Sequence, residues 1–247
     1  MKSSRLHNKD IIAFWGYVPE NIVLEYKEKF TGATWVDLDV NTGAPELSII
    51  PEASCRIIKN ILDNAFNLKD RIIEILAPVG HDKCDSALLI AQILKENGFR
   101  VYEFEDKNLI KTKPRAIICE SAIPLKEKVE MLTANIVTLE KPDYPYVAPK
   151  FGFWGVPPDD LSILELFPNE THVFGWLRGV ELGVPSSLEV ELYVPENLPI
   201  IFFAQTFCSK NQIAKYLADK YSGLYINADG LANASIKAKI EAFIALR

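Results

Sequence analysis

Residues 35–40 alternate apolar and polar side chains (Trp-Val-Asp-Leu-Asp-Val), which is the period of a half-buried strand. A turn over residues 41–45 ends it. In residues 52–66, Ile57, Ile58, Ile61, Leu62, Ala65 and Phe66 recur at helical spacing, predicting an amphipathic helix with one face to bury. Residues 71–77 (RIIEILA) form a continuous aliphatic run and read as a strand. Residues 87–97 read as a helix stopped by Gly98, a residue suited to the left-handed C-terminal position. Strand character resumes over 99–104 and again in the apolar run 115–119, followed by a helix over 125–132 and a strand over 136–139.

The later part of the chain follows a similar plan. Residues 171–177 predict a strand, and the strict alternation of 188–194 (LEVELYV) predicts another with one wet face. Residues 199–207 (PIIFFAQTF) read as a buried strand. A helix over 211–221 follows, with Ser209 as its N-cap and Gly223 as its stop. A strand at 224–227, a turn at Asp229-Gly230 and a closing helix over 236–246 complete the pattern. Strands alternating with helices at this spacing indicate an α/β fold with largely parallel sheets covered by helices.

A repeat then organises these elements. Phe14-Trp15-Gly16-Tyr17-Val18-Pro19-Glu20-Asn21-Ile22 returns as Phe153-Trp154-Gly155-Val156-Pro157-Pro158-Asp159-Asp160-Leu161. Phe, Trp, Gly and the last Pro are identical, an acid follows that Pro in both copies, and an aliphatic residue closes both. Because repeats decide how a chain is parsed, the expectation is an internal duplication giving two related α/β halves. Residues 141–150 carry three prolines, which remove hydrogen-bond donors and fix the backbone. That segment is the natural boundary, dividing the chain into 1–143 and 144–247.

Composition narrows the functional classes. With 49% apolar and 24% charged residues the chain has the make-up of a folded domain protein. A formal net charge of -6, without basic clustering, argues against nucleic acid. No apolar run of signal-peptide or membrane-spanning length occurs, so a cytoplasmic protein with no membrane contact is expected. Four cysteines in no paired or metal-ligand spacing indicate neither a disulfide scaffold nor a metal site. His7, His81 and His172 are too scattered for a metal either. Neither a Gly-rich phosphate loop nor a serine nucleophile elbow is present, and no cofactor is implied.

The candidate chemistry lies in two places. Trp15 and Trp154, with Glu20, Asp159 and Asp160 as a polar rim, make a binding surface in one reading. In the other reading the rings plug the ends of a core, Gly lets the chain turn past them, and the acids occupy the first turn of a following helix. Cys84 lies fourteen residues before Gly98 and Cys208 fifteen before Gly223, so each thiol falls at the mouth of the equivalent helix, where the thiolate is favoured. His81 stands close to Cys84.

Two α/β halves that each offer a cysteine at a helix mouth resemble the cofactor-independent aspartate/glutamate racemase class, in which paired thiols face each other across a cleft between pseudosymmetric lobes. The resemblance is one of arrangement, with Asp85 and Ser209 following the two cysteines. It implies a small-molecule racemase or isomerase using Cys84, Cys208 and His81, with its ligand in the cleft between the halves. The other class is a non-enzymatic acidic binding protein, an inhibitor or immunity-type partner of a basic protein, steered to it by charge. This second class is preferred, because the residues around both thiols match no activating arrangement.

Overall fold

The computed structural model describes residues 10–47, 49–51, 54–80, 83–105, 116–134 and 143–247. Among them the contacts form two compact units, one of residues 10–105 and one of residues 116–133 with 143–247. The division is not a single cut at the proline-rich segment, since residues 116–133 fall in the second unit, where helix 125–133 packs with the second sheet.

The first unit runs β1 (Ile11–Phe14), α1 (Glu20–Lys29), β2 (Thr34–Asp37), α2 (Arg56–Asn67), β3 (Ile72–Pro78), α3 (Asp85–Glu96) and β4 (Val101–Phe104). Its sheet is all parallel in the order β2-β1-β3-β4. The second unit contains α4 (Leu125–Ala134), β5 (Phe151–Gly155), a 3-10 helix (Leu161–Leu166), β6 (Thr171–Phe174), α5 (Trp176–Glu181), α6 (Leu188–Leu192), β7 (Ile200–Ala204), α7 (Lys210–Tyr221), β8 (Leu224–Asn227) and α8 (Ala234–Ala245). Its sheet, again all parallel, has the order β6-β5-β7-β8. The expected α/β fold with two halves of one layout is present.

The repeated motif sits at the carboxyl end of the same strand in both sheets, and its side chains keep their faces. Phe14 packs with Val18, Ile22 and Tyr26 on the α1 side, as Phe153 packs with Ile163 and Leu164 of the 3-10 helix. Trp15 faces the opposite way, joining Ile90 and Leu94 of α3. Trp154 likewise joins Ala214 and Leu217 of α7. Because neighbouring residues of a strand point to opposite faces, the Phe-Trp pair fixes the register of each central strand between two helical layers. A one-residue slip would exchange the two faces.

Gly155 is closed on by its neighbour, since a Cβ there would stand 2.4 Å from the Phe203 carbonyl oxygen. Gly155→Ala is accordingly expected to destabilise the protein by roughly 1–3 kcal/mol through overpacking, read as a lowered urea midpoint. An unchanged midpoint would show that β5 and β7 can part without cost.

Three elements differ from the sequence expectation. Residues 188–194 form not a strand but the short helix α6, with Glu191 buried and Leu188 57% and Leu192 40% exposed. One helical turn brings Glu191 inward to Lys210, 2.6 Å away in a largely buried ion pair, and lets its carbonyl accept the Trp154 indole N–H at 2.7 Å. Tertiary pairing thus overrides the alternation. Residues 116–119 form turns and not a strand; their apolar character reflects burial of Ala116 and Cys119 against the second core. Ser209 does not cap α7 with its side chain, and Ser222, not Gly223, takes the left-handed conformation at φ 52°. The predicted strand over 136–139 lies outside the described residues. Among the described residues, no helix is long and apolar enough to cross a membrane.

Candidate functional site

In open parallel sheets, ligands are received outside the carboxyl ends of the strands, where the strand order reverses. That reversal falls between β1 and β3 in the first sheet and between β5 and β7 in the second, so the loops beyond those ends deserve comparison.

Beyond the first sheet, helix α2 fixes the chain that leaves β2. Asn64 donates to the Leu38 and Val40 carbonyls at 3.0 and 2.7 Å, and Asn60 donates to the Asp39 carbonyl at 2.8 Å. Thr42 in turn hydrogen-bonds the Asn64 side chain. This pinned turn presents two carboxyl groups. Asp37 Oδ1 accepts the Asp39 backbone N–H at 2.9 Å, and Asp39 Oδ2 accepts the Gly16 N–H at 2.8 Å. Gly16 reaches that position with φ +58°, a conformation that disfavours a side chain.

The remaining oxygens, Asp37 Oδ2 and Asp39 Oδ1, have no hydrogen-bond partner and essentially no solvent contact, although both residues are only partly buried overall. Burial pushes the Asp37 carboxyl up to about 7, partly offset by the Asp39 N–H. Asp39 is pushed well above the usual carboxylate range by burial first and by the negative charge of Asp37 second, against the opposing Gly16 hydrogen bond. Burial and the charge of the neighbouring carboxyl disfavour ionisation of both together, which favours a pair sharing one proton. A protonated carboxyl donates and an ionised one accepts, which equips the pair for acid and base steps near pH 7.

The second sheet's edge is closed by its own side chains. Asp159 accepts from Gln205 Nε2 at 3.1 Å and from the Gly230 N–H at 2.8 Å. Asp160 caps the 3-10 helix through the Ser162 N–H at 3.0 Å and accepts from Ala232 N–H at 3.2 Å. The Ser162 side chain foremost, with these backbone donors and Lys237, holds the Asp160 carboxyl below its ordinary range. Thr206 completes the closure, its N–H on Asp229 at 2.8 Å and its hydroxyl on Asn227 at 2.9 Å.

The other residues singled out from sequence fall as follows. Trp15 and Trp154 are 4% and 0% exposed, so both rings are core and offer no stacking surface to solvent. Glu20 is exposed in the first turn of α1. Cys84 is the exposed N-cap residue of α3, and Cys208 is half-buried just before α7. Each thus lies beyond the third strand of its own sheet, at the equivalent helix mouth. His81 lies outside the described residues. His172 is buried, with Nε2 2.8 Å from the Val147 carbonyl, and burial lowers its pKa.

Asp37 and Asp39 are the residues that reading the sequence for sites passes over. Within an alternating strand they look like its wet face. The signal was two acids two positions apart at the carboxyl end of a strand, running directly into a turn. Among the described residues, no group of three or more His, Cys, Asp or Glu side chains is disposed to hold a metal. No protein-family model matches the chain, and no curated protein matches it in sequence.

Proposed function

We propose that this protein binds a small polar molecule at the carboxyl edge of its first sheet, with Asp37 and Asp39 receiving it. The observation that carries this reading is the contrast between two edges of one layout. In the second sheet Asp159, Asp160 and Asp229 at the edge are turned to internal donors, whereas in the first sheet Asp37 and Asp39 each keep a buried carboxyl oxygen without one. Buried polar atoms without partners are costly and uncommon, and a ligand carrying hydrogen-bond donors, such as an amine or a polyol, supplies what they lack. The proton held by the pair gives the site an acid and a base for chemistry on that ligand.

Amide NMR spectra against a panel of small amines, amino acids, sugars and nucleotides test the reading. A binder is expected to shift Gly16, Asp37 and Asp39, and Asp39→Asn should abolish those shifts while the other amides stay in place. Shifts confined to residues 156–160 and 205–208, shifts that survive Asp39→Asn, or a panel with no binder at millimolar concentration would each defeat it.

Recognition of a basic protein partner is the second reading, favoured by the formal net charge of -6. It depends on exposed acids such as Glu20, since Asp159 and Asp160 are occupied internally. Such binding weakens steeply with salt because exposed charges are screened, whereas a ligand seated on the buried oxygens of Asp37 and Asp39 is screened much less.

A further inference from the structure

β6 is the edge strand of the second sheet, and both of its faces are buried. Outward backbone groups of this strand are nevertheless met at two points. The Val173 N–H donates to the Cys119 carbonyl at 3.1 Å. The Thr171 carbonyl accepts from Lys128 Nζ at 2.6 Å. That lysine is fully buried, and its ammonium also donates to the Ser121 carbonyl at 2.6 Å. Burial lowers its pKa to about 8, which leaves it largely charged at neutral pH.

The segment 116–121 that provides these acceptors is itself fastened from outside the sheet. The Glu181 carboxylate of α5 accepts the Ile118 and Cys119 N–H groups at 2.6 and 2.9 Å. Glu120 pairs with Arg178 at 2.6 Å, both side chains being largely buried. The Glu120 carbonyl accepts the Val147 N–H at 3.2 Å. A turn containing no strand is thus locked against a strand edge by a buried lysine, a buried ion pair and a carboxylate spanning two amides. None of these charges is part of the first sheet's site.

The geometry points to residues 116–121 as an edge guard, fastened by Lys128 and Glu181, that keeps β6 from pairing with β6 of a second copy of this chain. An unpaired strand edge is a template for another strand, and a two-fold axis brings the identical edge of a second molecule antiparallel to it. A second copy is the occupant because its opened edge carries the same unmet donors and acceptors in self-complementary order. Lysine is suited to the guard because it satisfies an outward carbonyl while offering no amide to continue the ladder. With only four residues in β6, the resulting dimer is weak and concentration-dependent.

The test is Glu181→Ala, with sedimentation velocity and hydrogen exchange followed from micromolar to millimolar concentration. The guard account expects the Val173 amide to lose protection by more than about tenfold in dilute solution, to regain it as concentration rises, and the sedimentation coefficient to rise with it. A folded variant that stays monomeric at every concentration while Val173 exchanges freely overturns the account, as does a variant in which Val173 stays protected. Should Glu181→Ala fail to fold by circular dichroism, Glu181→Gln, which keeps the side-chain size and one acceptor oxygen, is judged by the same two readouts.

Discussion

Trp154→Ala is expected to destabilise the protein by about 3 to 5 kcal/mol, as deletion of a fully buried large ring does. The indole lies among Phe174, Ile200, Phe202, Ala214 and Leu217, with its ring centroid 6.1 Å from that of Phe202. Gly175 packs so closely that a Cβ there would stand 2.7 Å from the indole, leaving no side chain to fall into the void. The loss extends beyond packing, because the Glu191 carbonyl gives up the indole N–H. In a thermal melt this corresponds to a decrease of roughly 6 to 20 °C.

Trp15→Ala separates the two contributions. Its ring is equally core, but its Nε1 has no acceptor, so it should cost about 1 kcal/mol less, the net worth of one hydrogen bond. A melt little changed in Trp154→Ala would mean that the ring is not a core plug and that the equivalence of the two motifs fails.

The second large effect runs in the opposite direction: Asp39→Asn should stabilise the protein at neutral pH. Both carboxyls are raised in the folded state above their unfolded values. Between about pH 4 and 7 the folded state therefore binds more protons than the unfolded chain, and stability falls as pH rises through that window. After discounting for the part of Asp37 that solvent reaches, the loss is on the order of 2 kcal/mol. Asparagine keeps an acceptor for the Gly16 N–H and removes one of the two charges. Urea midpoints at pH 4.5 and 7.5 should differ in wild type and differ less in the variant, where Asp37 alone is still raised by burial. Equal pH slopes in the two proteins would show that Asp39 titrates normally. A variant that gains stability and loses ligand would be the expected exchange between stability and a strained binding site.

The duplication was legible in the sequence because its signature is one of packing. Phe14-Trp15-Gly16 and Phe153-Trp154-Gly155 recur, and two adjacent aromatics of fixed order can serve a parallel strand only by filling both faces. The crossover helices were legible for the same reason, as apolar residues at helical spacing. What escaped were residues whose partners are distant in the chain. Glu191 reads as the wet side of a strand until Lys210 arrives from α7. Lys128 reads as a surface lysine on an amphipathic helix until the carbonyls of Ser121 and Thr171 converge on it.

Asp37 and Asp39 escaped because alternation cannot distinguish an acid facing water from one tucked beneath the loop after β1. That distinction depends on Gly16 and Asn64, which lie 23 and 25 positions away from Asp39. The thiols show the converse. Cys84 and Cys208 occupy the equivalent helix mouths that their spacing predicted.

The claim that the first sheet's edge holds a proton at neutral pH is tested most directly by a carbon NMR titration of the aspartate side-chain carboxyls, with Asp37→Asn and Asp39→Asn used for assignment. The pair is expected to titrate as a unit, with both steps raised above the ordinary aspartate range and the Asp37 carboxyl near pH 7. Two independent midpoints near pH 4, the ordinary aspartate value, would contradict it.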